Sequence, residues 1–197
     1  MKTLVLYQSY SGFTAKYATW IAEELNASLL PISKAAKAAV AAYDTIIFGG
    51  SLHMTGISGA KFFKTFLPTL SGKRIIVFAV GASPPLEGIP QKILDRNFSA
   101  EEQCLFKFFY FRGGFNFQKL DFPNKVLMGL LKLKLQRKKN RTAEEQGMLD
   151  AYKVPIDATN KEAIRPLLET VALMLSEAMV TRAAEFPGGA LYQPAHR

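Results

Sequence analysis

The chain has 197 residues, a formal net charge of +9 and 49% hydrophobic residues. That length and composition suit one compact core with an elaboration better than two domains. The only cysteine, Cys104, excludes an internal disulfide and a multi-cysteine metal site. No apolar run approaches the ~20 residues that span a bilayer, and the N-terminus does not resemble a signal peptide, so we expect a cytoplasmic protein.

Strand and helix patterns alternate along the chain. Continuous apolar runs, typical of strands that are covered on both faces, occupy residues 3–7, 45–48 and 75–80, with further strands expected at 28–31 and 104–111. Helical spacing of apolar residues appears at 15–25, 60–67 and 89–95. This alternation predicts right-handed crossovers and a parallel sheet. Cys104 would open the fifth strand, with a buried or half-buried thiol.

A second β-like piece, residues 153–157, lies about forty residues after the fifth strand. We expect it to be the other half of one edge strand, which an insertion at about residues 115–152 interrupts. The last helical pattern follows at 161–182. The domain should therefore cover residues 1–181, and residues 182–197, which contain Pro187-Gly188-Gly189, are expected to form an irregular tail.

The first strand-to-helix turn is rich in hydroxyl groups. Unpaired N–H groups and a partial positive charge at a helix N-terminus allow small residues there to wrap a phosphate. The turn matches neither the Walker A motif nor the Gly-x-Gly-x-x-Gly fingerprint, and an ordinary capped turn is the alternative. Its residues are Ser9, Tyr10, Ser11, Gly12, Phe13 and Thr14.

Two further loops should lie at the same edge of the sheet. In open parallel sheets, ligands bind at the carboxyl ends of the strands. Small residues there would let a flat ring approach the backbone. The loops contain Gly49, Gly50, Ser51, Leu52, His53 and Met54 after the third strand, and Gly81, Ala82 and Ser83 after the fourth.

These motifs resemble those of the flavodoxin-like superfamily. Residues 9–14 match its hydroxyl-rich phosphate loop, and residues 43–51 are similar to its segment of Tyr-Asp, an apolar strand and glycine. Within the superfamily, the chain is most similar to the menaquinone-dependent protoporphyrinogen oxidase branch, through residues 1–7, Gly50-Ser51-Leu52 and the basic insertion at 115–140. Residues 52–56 and 82–85 depart from that branch.

The resemblance implies a flavodoxin-like three-layer α/β sandwich, with a five-stranded parallel sheet in the order 2-1-3-4-5 and a split fifth strand. It also implies noncovalently bound FMN. The phosphate would be held by Ser9, Ser11, Gly12, Phe13 and Thr14, next to Tyr10. The ring would be flanked by Ser51, Leu52, His53 and Met54 and edged by Gly81, Ala82 and Ser83, while Gly113 and Gly114 close the pocket or face the substrate.

The implied activity is FMN-dependent oxidation of an organic substrate, with a quinone as acceptor. The alternative is a flavodoxin-type electron carrier that docks to an acidic partner; such carriers are usually acidic, so the charge of +9 favours the enzyme. A domain that has lost its flavin is disfavoured by the intact phosphate loop. His53 is the one catalytic candidate, as a proton donor, and a packing role is its alternative.

The insertion holds most of the excess charge. From Lys119 to Arg141 there are eight basic residues and one acid, Asp121. Helical projection places Lys125, Lys132, Gln136 and Lys139 on one face and leucines on much of the remainder, a pattern typical of a segment on an anionic membrane surface. The alternatives are packing on the domain's own edge and an acidic protein partner. Nucleic acid is not expected, and the oligomeric state is left open.

Overall fold

The computed structural model describes residues 2–53, 55–84, 86–115, 117–119 and 122–185. The strands are β1 (Thr3–Gln8), β2 (Ser28–Pro31), β3 (Thr45–His53), β4 (Gly56–Ile57), β5 (Arg74–Gly81), β6 (Lys107–Arg112), β7 (Gly114–Phe115) and β8 (Ile156–Asp157). The helices are α1 (Phe13–Glu24), α2 (Lys37–Ala41), α3 (Ala60–Lys64), α4 (Ile89–Asn97), α5 (Ala100–Gln103), α6 (Phe122–Arg137), α7 (Ala143–Ala151) and α8 (Arg165–Glu185). Single 3₁₀ turns lie at Ile32–Lys34, Leu67–Thr69, Phe117–Lys119 and Lys161–Ile164.

A parallel sheet in the order β2-β1-β3-β5-β6 forms the centre of the fold. It confirms the predicted flavodoxin-like order. Side chains alternate between two cores, one that contains Leu6 and Phe48, and one that contains Val5 and Phe78. Because the strands are parallel, their carboxyl ends meet at one edge, where the predicted loops come together.

The third strand is longer than predicted, because Gly49 and Gly50 lie inside β3 rather than in a loop. Both glycines pair with β1 on one side and β5 on the other, and this pairing outweighs their low β propensity. A Cβ on Gly49 would lie 2.0 Å from the Phe78 ring, so there is no room for a side chain. β3 ends at His53 and turns back as β4, which was not predicted.

The prediction for Cys104 is wrong: its side chain is exposed and lies at the end of α5, while the fifth strand of the sheet, β6, begins only at Lys107. The cause is a capping box, in which the Ser99 hydroxyl accepts from the Glu102 N–H and the Glu102 carboxylate accepts from the Ser99 N–H. This box starts a short helix where the apolar pattern suggested a strand. The thiol donates to the Ala100 carbonyl at 3.3 Å.

The second β-like piece does not join the parallel sheet. Only Ile156–Asp157 is a strand, and it pairs antiparallel with β7 in a separate two-stranded sheet. A Cβ on Gly114 would lie 2.0 Å from the Ile156 carbonyl oxygen, so this close pairing requires glycine. The insertion between the two strands contains α6 and α7, and its base is fixed beside the carboxyl end of β6.

The last helix, α8, continues to Glu185, so residues 182–185 are helical rather than part of an irregular tail. The remaining tail, residues 186–197, lies outside the described residues. α8 and α6 are the longest helices of the described ranges, and within those ranges no helix combines the length and the apolarity that crossing a membrane requires.

Tyr17 joins α1 to both ends of the insertion. Its side chain is 1% exposed, and its hydroxyl donates to the Arg112 carbonyl at 2.8 Å and accepts from the Asn160 N–H at 3.1 Å. The ring stacks on Phe111 with a centroid distance of 4.8 Å. Burial raises the pKa of the Tyr17 hydroxyl, which therefore stays neutral and can donate.

Replacing Tyr17 with Phe should lower the free energy of unfolding by about 1–3 kcal/mol, because it removes two part-buried hydrogen bonds that are each worth about 0.5–1.5 kcal/mol. Urea denaturation monitored by circular dichroism measures this loss. Tyr43→Phe is the matched control, since the Tyr43 hydroxyl bonds only Ser28 Oγ, at 3.1 Å in an exposed position. Equal stability of the two variants would contradict the assignment.

Asp157 forms a second link between α1 and the insertion. Its Oδ2 accepts from Lys16 Nζ at 2.8 Å, and its Oδ1 accepts from the Thr159 hydroxyl at 2.6 Å and N–H at 2.9 Å. The hydrogen bond from Lys16, followed by those from Thr159, lowers the pKa of Asp157 from 3.8 to about 2. A carboxyl whose pKa is lowered on folding stabilises the folded state above its unfolded pKa, and that contribution disappears as the pH falls through its folded pKa.

Asp157→Asn should therefore be less stable than the wild type at pH 6, by less than about 1 kcal/mol because the ion pair is half exposed. The difference should shrink below about pH 4 and vanish only below about pH 2, the pKa of Asp157 in the folded protein. Urea unfolding at several pH values measures it. Asp150→Asn is the control, because the exposed Asp150 side chain makes only long contacts among the described residues, with Lys153 at 3.5 Å and with Gln146 at 3.3 Å. A difference that does not depend on pH would contradict the lowered pKa.

Candidate functional site

An open cleft of about 190 Å³ lies at the carboxyl edge of the sheet. Its walls come from the loop after β1, the ends of β3 and β5, and the junction of β6 with β7. The structure brings together residues that the sequence placed in four separate segments. Those that line the cleft are Tyr10, Ser11, Phe13, Thr14, Ser51, Leu52, His53, Gly81, Ala82, Gly113 and Gly114.

The other predicted site residues stand apart from the cleft lining. Ser9 and Gly12 belong to the first loop but are not among the residues that line the cleft; Gly12 is exposed, and the Ser9 hydroxyl oxygen is buried. Ser83 has an exposed side chain outside the lining. Met54 lies outside the described residues. Their assignment to the site therefore remains a prediction.

Four residues that line the cleft were not predicted: Val80, Phe115, Leu127 and Met128. Val80 and Phe115 directly neighbour predicted residues, Gly81 and Gly114. Leu127 and Met128 belong to α6, so the basic insertion forms part of the wall. No local signal in the sequence could place them there, because their position depends on how α6 packs against the domain.

Gly12 shapes the loop between β1 and α1. It is the N-cap residue of α1 and has a φ of +92°, a conformation that glycine adopts without strain. No side chain caps this end of α1, so its first backbone N–H groups remain available to a ligand. The partial positive charge of the helix end favours an anion at this position.

Ser9 supplies the strongest indication of a ligand. Its Oγ is buried and has no hydrogen-bond partner among the described residues. An unsatisfied buried hydroxyl costs about 1–3 kcal/mol, so native structures rarely leave one without a partner. A phosphate oxygen in the loop would accept from this hydroxyl and from the N–H groups of α1. These residues therefore fit a phosphate group.

Thr14 and Ser51 tie this loop to the end of β3. Their hydroxyl oxygens are 2.8 Å apart, and the residues are 1% and 7% exposed. Ser51 Oγ also accepts from the Tyr10 N–H at 3.3 Å and lies 3.4 Å from the Gln8 carbonyl. When Ser51 donates to Gln8, the Thr14 hydroxyl donates to Ser51 and has no proton left for a phosphate. In the structure, Thr14 holds the loop against the end of β3, and its contact with a phosphate stays a prediction.

The rest of the cleft is apolar and uncharged. Tyr10 and His53 form an edge-to-face pair with ring centroids 4.8 Å apart, and Tyr10 is 46% exposed. Leu52, Val80 and Phe115 supply apolar surface that suits a flat ring. Among the described residues, no lysine, arginine or carboxylate lines the cleft, so neutral N–H and O–H groups would hold the phosphate.

Tyr110 fixes the loop after β5. Its hydroxyl donates to the Ser83 carbonyl at 2.8 Å, and burial raises its pKa, which keeps it protonated. It lies against Gly81, where a Cβ would be 2.4 Å from the hydroxyl oxygen. The Gly113 N–H donates to the Gly81 carbonyl at 2.7 Å and joins this loop to β6. The edge of the cleft at Gly81 is therefore held from two sides.

Tyr152 attaches α6 to the cleft. Its hydroxyl donates to the Met128 carbonyl at 2.8 Å. Its ring contacts the rings of Phe115 and Phe117, with centroid distances of 5.3 and 5.2 Å. Burial of the hydroxyl raises its pKa. The wall that α6 contributes is thus fixed by a residue 24 positions away along the chain.

The family model of the flavodoxin domain matches residues 4–142, a range that contains every residue of the cleft lining. Among solved structures, the flavodoxin, WrbA-like protein from Agrobacterium tumefaciens is 30% identical, over 49% of this chain and 68% of that chain, with a TM-score of 0.41. Oxidised Flavodoxin 2 from Bacillus cereus is 23% identical, over 57% and 84%, with a TM-score of 0.42. The FMN-dependent NADH-azoreductase from Bacillus anthracis str. Ames Ancestor, in complex with FMN, is 8% identical, over 77% and 97%, with a TM-score of 0.43. No curated protein matches the chain.

Replacing Ser9 with Ala should have opposite effects on the free and the FMN-bound protein. The free protein should keep or gain stability, because an unsatisfied buried hydroxyl is removed, while FMN affinity should fall about 10- to 150-fold, the equivalent of one lost hydrogen bond to a charged group. Urea unfolding and fluorescence titration measure the two effects. Ser71→Ala, in the exposed turn before β5 at the opposite edge of the sheet, is the control. Unchanged FMN affinity of Ser9→Ala would contradict the phosphate site.

Proposed function

Because this chain belongs to the flavodoxin domain family, whose members bind FMN, we propose that it is an FMN-dependent oxidoreductase that transfers reducing equivalents from an organic substrate to a quinone. The observation that supports the cofactor most directly is the buried, unpartnered Ser9 hydroxyl beside the uncapped N-terminus of α1. Both groups belong to the segment that would hold the phosphate, the loop after β1 and the start of α1.

Different residues of the cleft would hold different parts of the cofactor. The loop after β1 would bind the phosphate, and Thr14 and Ser51 would keep that loop against β3. Leu52, Val80 and Phe115 would exclude water from the ring, which strengthens the hydrogen bonds inside the cleft. Bound FMN would supply the hydride and electron chemistry, while the protein supplies position and electrostatics.

His53 is the one histidine that lines the cleft among the described residues. Its ring packs edge-on against Tyr10 at 4.8 Å, which fixes its orientation at the mouth of the cleft. From there it would hold a proton close to a substrate that binds over the ring. The packing against Tyr10 also agrees with a structural role, so catalysis by His53 remains a proposal.

The wall formed by α6 supports an apolar electron acceptor. Leu127 and Met128 line the cleft next to Phe115, so a molecule over the ring would meet aliphatic and aromatic surface on that side. A quinone ring is flat and apolar and can bury its area against such a wall. If the protein were an electron carrier, its protein partner would instead have to approach the flavin around α6.

The test measures how fast the reduced flavin is reoxidised. The protein is loaded with FMN and reduced under anaerobic conditions, and flavin absorbance is followed after mixing with a short-chain quinone or with ferricyanide, a small hydrophilic acceptor. A separate run uses oxygenated buffer as the acceptor. The quinone should reoxidise the flavin faster than oxygen does. Met128→Glu, which places a charge in the apolar wall, should slow the quinone at least about tenfold and leave ferricyanide unaffected.

Leu105→Glu serves as the control, because Leu105 is 51% exposed and lies before β6, at the opposite edge of the sheet. A quinone that is no faster than oxygen would rule out the quinone-linked reaction. If reduction also proceeds in two separate one-electron steps, the electron carrier becomes the better description.

A further inference from the structure

The insertion helix α6 has two apolar faces. Met128, Leu131 and Leu135, spaced i, i+3 and i+7, face the domain; Leu135 is 7% exposed. The opposite face carries Val126, Leu130 and Leu133, spaced i, i+4 and i+7, which are 49%, 61% and 51% exposed. We call these three residues the outer apolar face. On the inner face, Met128 lines the cleft and Leu135 is buried, whereas the outer apolar face stays exposed.

The orientation of α6 is fixed by contacts on the inner side. Tyr152 donates to the carbonyl of Met128, and Lys132 Nζ lies 5.6 Å from the centre of the Tyr152 ring. The projection from the sequence grouped Lys132 with exposed lysines, but it is half-buried on this inner side. Arg141 Nε donates to the Leu135 carbonyl at 2.7 Å, near the end of the helix. A rotation that buries the outer apolar face would break these contacts.

Exposed cations accompany the outer apolar face. Lys134, Arg137 and Lys139 are exposed, and no acidic partner contacts them within the described part of the chain. Other basic residues of the insertion are used internally: Lys138 pairs with Glu145 at 2.8 Å, and Arg141 bonds the end of α6. The remaining positive charge is therefore concentrated around the exposed valine and leucines.

We propose that the outer apolar face of α6 docks on an anionic lipid surface, with Lys134, Arg137 and Lys139 contacting the headgroups. A single convex helix with apolar residues along one side and flanking cations suits a plane of acyl chains and anionic headgroups. A protein partner would need a groove shaped to this helix, whereas a lipid surface needs only the apolar stripe and the charge. Docking would depend on the geometry and charge of α6 and would not require the proposed redox reaction.

Docking in this way would place the lipid surface one helix away from the cleft. The inner side of α6 contributes Leu127 and Met128 to the cleft wall, and a helix with its side chains is about 10 Å across. A molecule dissolved in the lipid would reach the cleft by moving along α6. The same helix would thus serve as the wall of the site and as the contact with the surface.

The test is co-sedimentation of the full chain with vesicles of phosphatidylcholine alone or of phosphatidylcholine and phosphatidylglycerol at 3:1. The wild type should bind the anionic vesicles and lose binding in high salt. The double variant Leu130→Glu/Leu133→Glu should bind at least tenfold more weakly. Leu173→Glu is the matched control, because Leu173 is 64% exposed on α8, and it should bind like the wild type.

A second variant separates charge from apolar contact: Lys134→Gln/Arg137→Gln/Lys139→Gln should weaken binding to anionic vesicles and leave the weak binding to neutral vesicles unchanged. Circular dichroism and thermal unfolding should be the same for all variants, since the replaced side chains are exposed.

Equal binding of wild type and Leu130→Glu/Leu133→Glu would overturn the proposal. The proposal would also be overturned if the wild type did not bind anionic vesicles but dimerised through Leu130 and Leu133. Flavin binding is measured separately, so failure here leaves the proposed redox function untouched.

Discussion

The buried hydrogen bond between Thr14 and Ser51 sets the geometry on which the site depends. It joins the first turn of α1 to the end of β3, and both side chains are almost fully removed from water. Ser51 also holds the Tyr10 N–H, so one hydroxyl orders the backbone of the loop. With these groups satisfied by each other, the Ser9 and Ser11 hydroxyls and the N-terminus of α1 can donate to a ligand.

The insertion is built onto this arrangement without changing the sheet. Its base is fixed by Gly114 pairing with Asp157, by the Lys16–Asp157 ion pair and by the two hydrogen bonds of Tyr17. From that base, α6 returns to the mouth of the cleft and is held there by Tyr152. In the proposed function, the insertion would select what approaches the ring, while the sheet and its loops would hold the cofactor.

Sequence patterns were sufficient where local and tertiary preferences agree. The apolar runs at 3–7 and 75–80 correspond to β1 and β5, because buried parallel strands need continuous apolar residues. Gly49 and Gly50 were misassigned because pairing on both sides overrides their weak preference for strands. Cys104 was misassigned although the Ser99–Glu102 capping pattern was visible in the sequence. The positions of Leu127 and Met128 in the cleft could not be predicted, because they depend on a hydrogen bond from Tyr152.

The central claim is that the first loop binds the phosphate of FMN, and comparing FMN with riboflavin tests it most directly. The two molecules share the ring and differ in the phosphate alone. Titration of the flavin-free protein, followed by flavin fluorescence, should give an affinity for FMN at least about 100-fold higher than for riboflavin, since hydrogen bonds to a charged group are worth about 1.5–3 kcal/mol each. Equal affinities, or no binding of either flavin, would contradict the account.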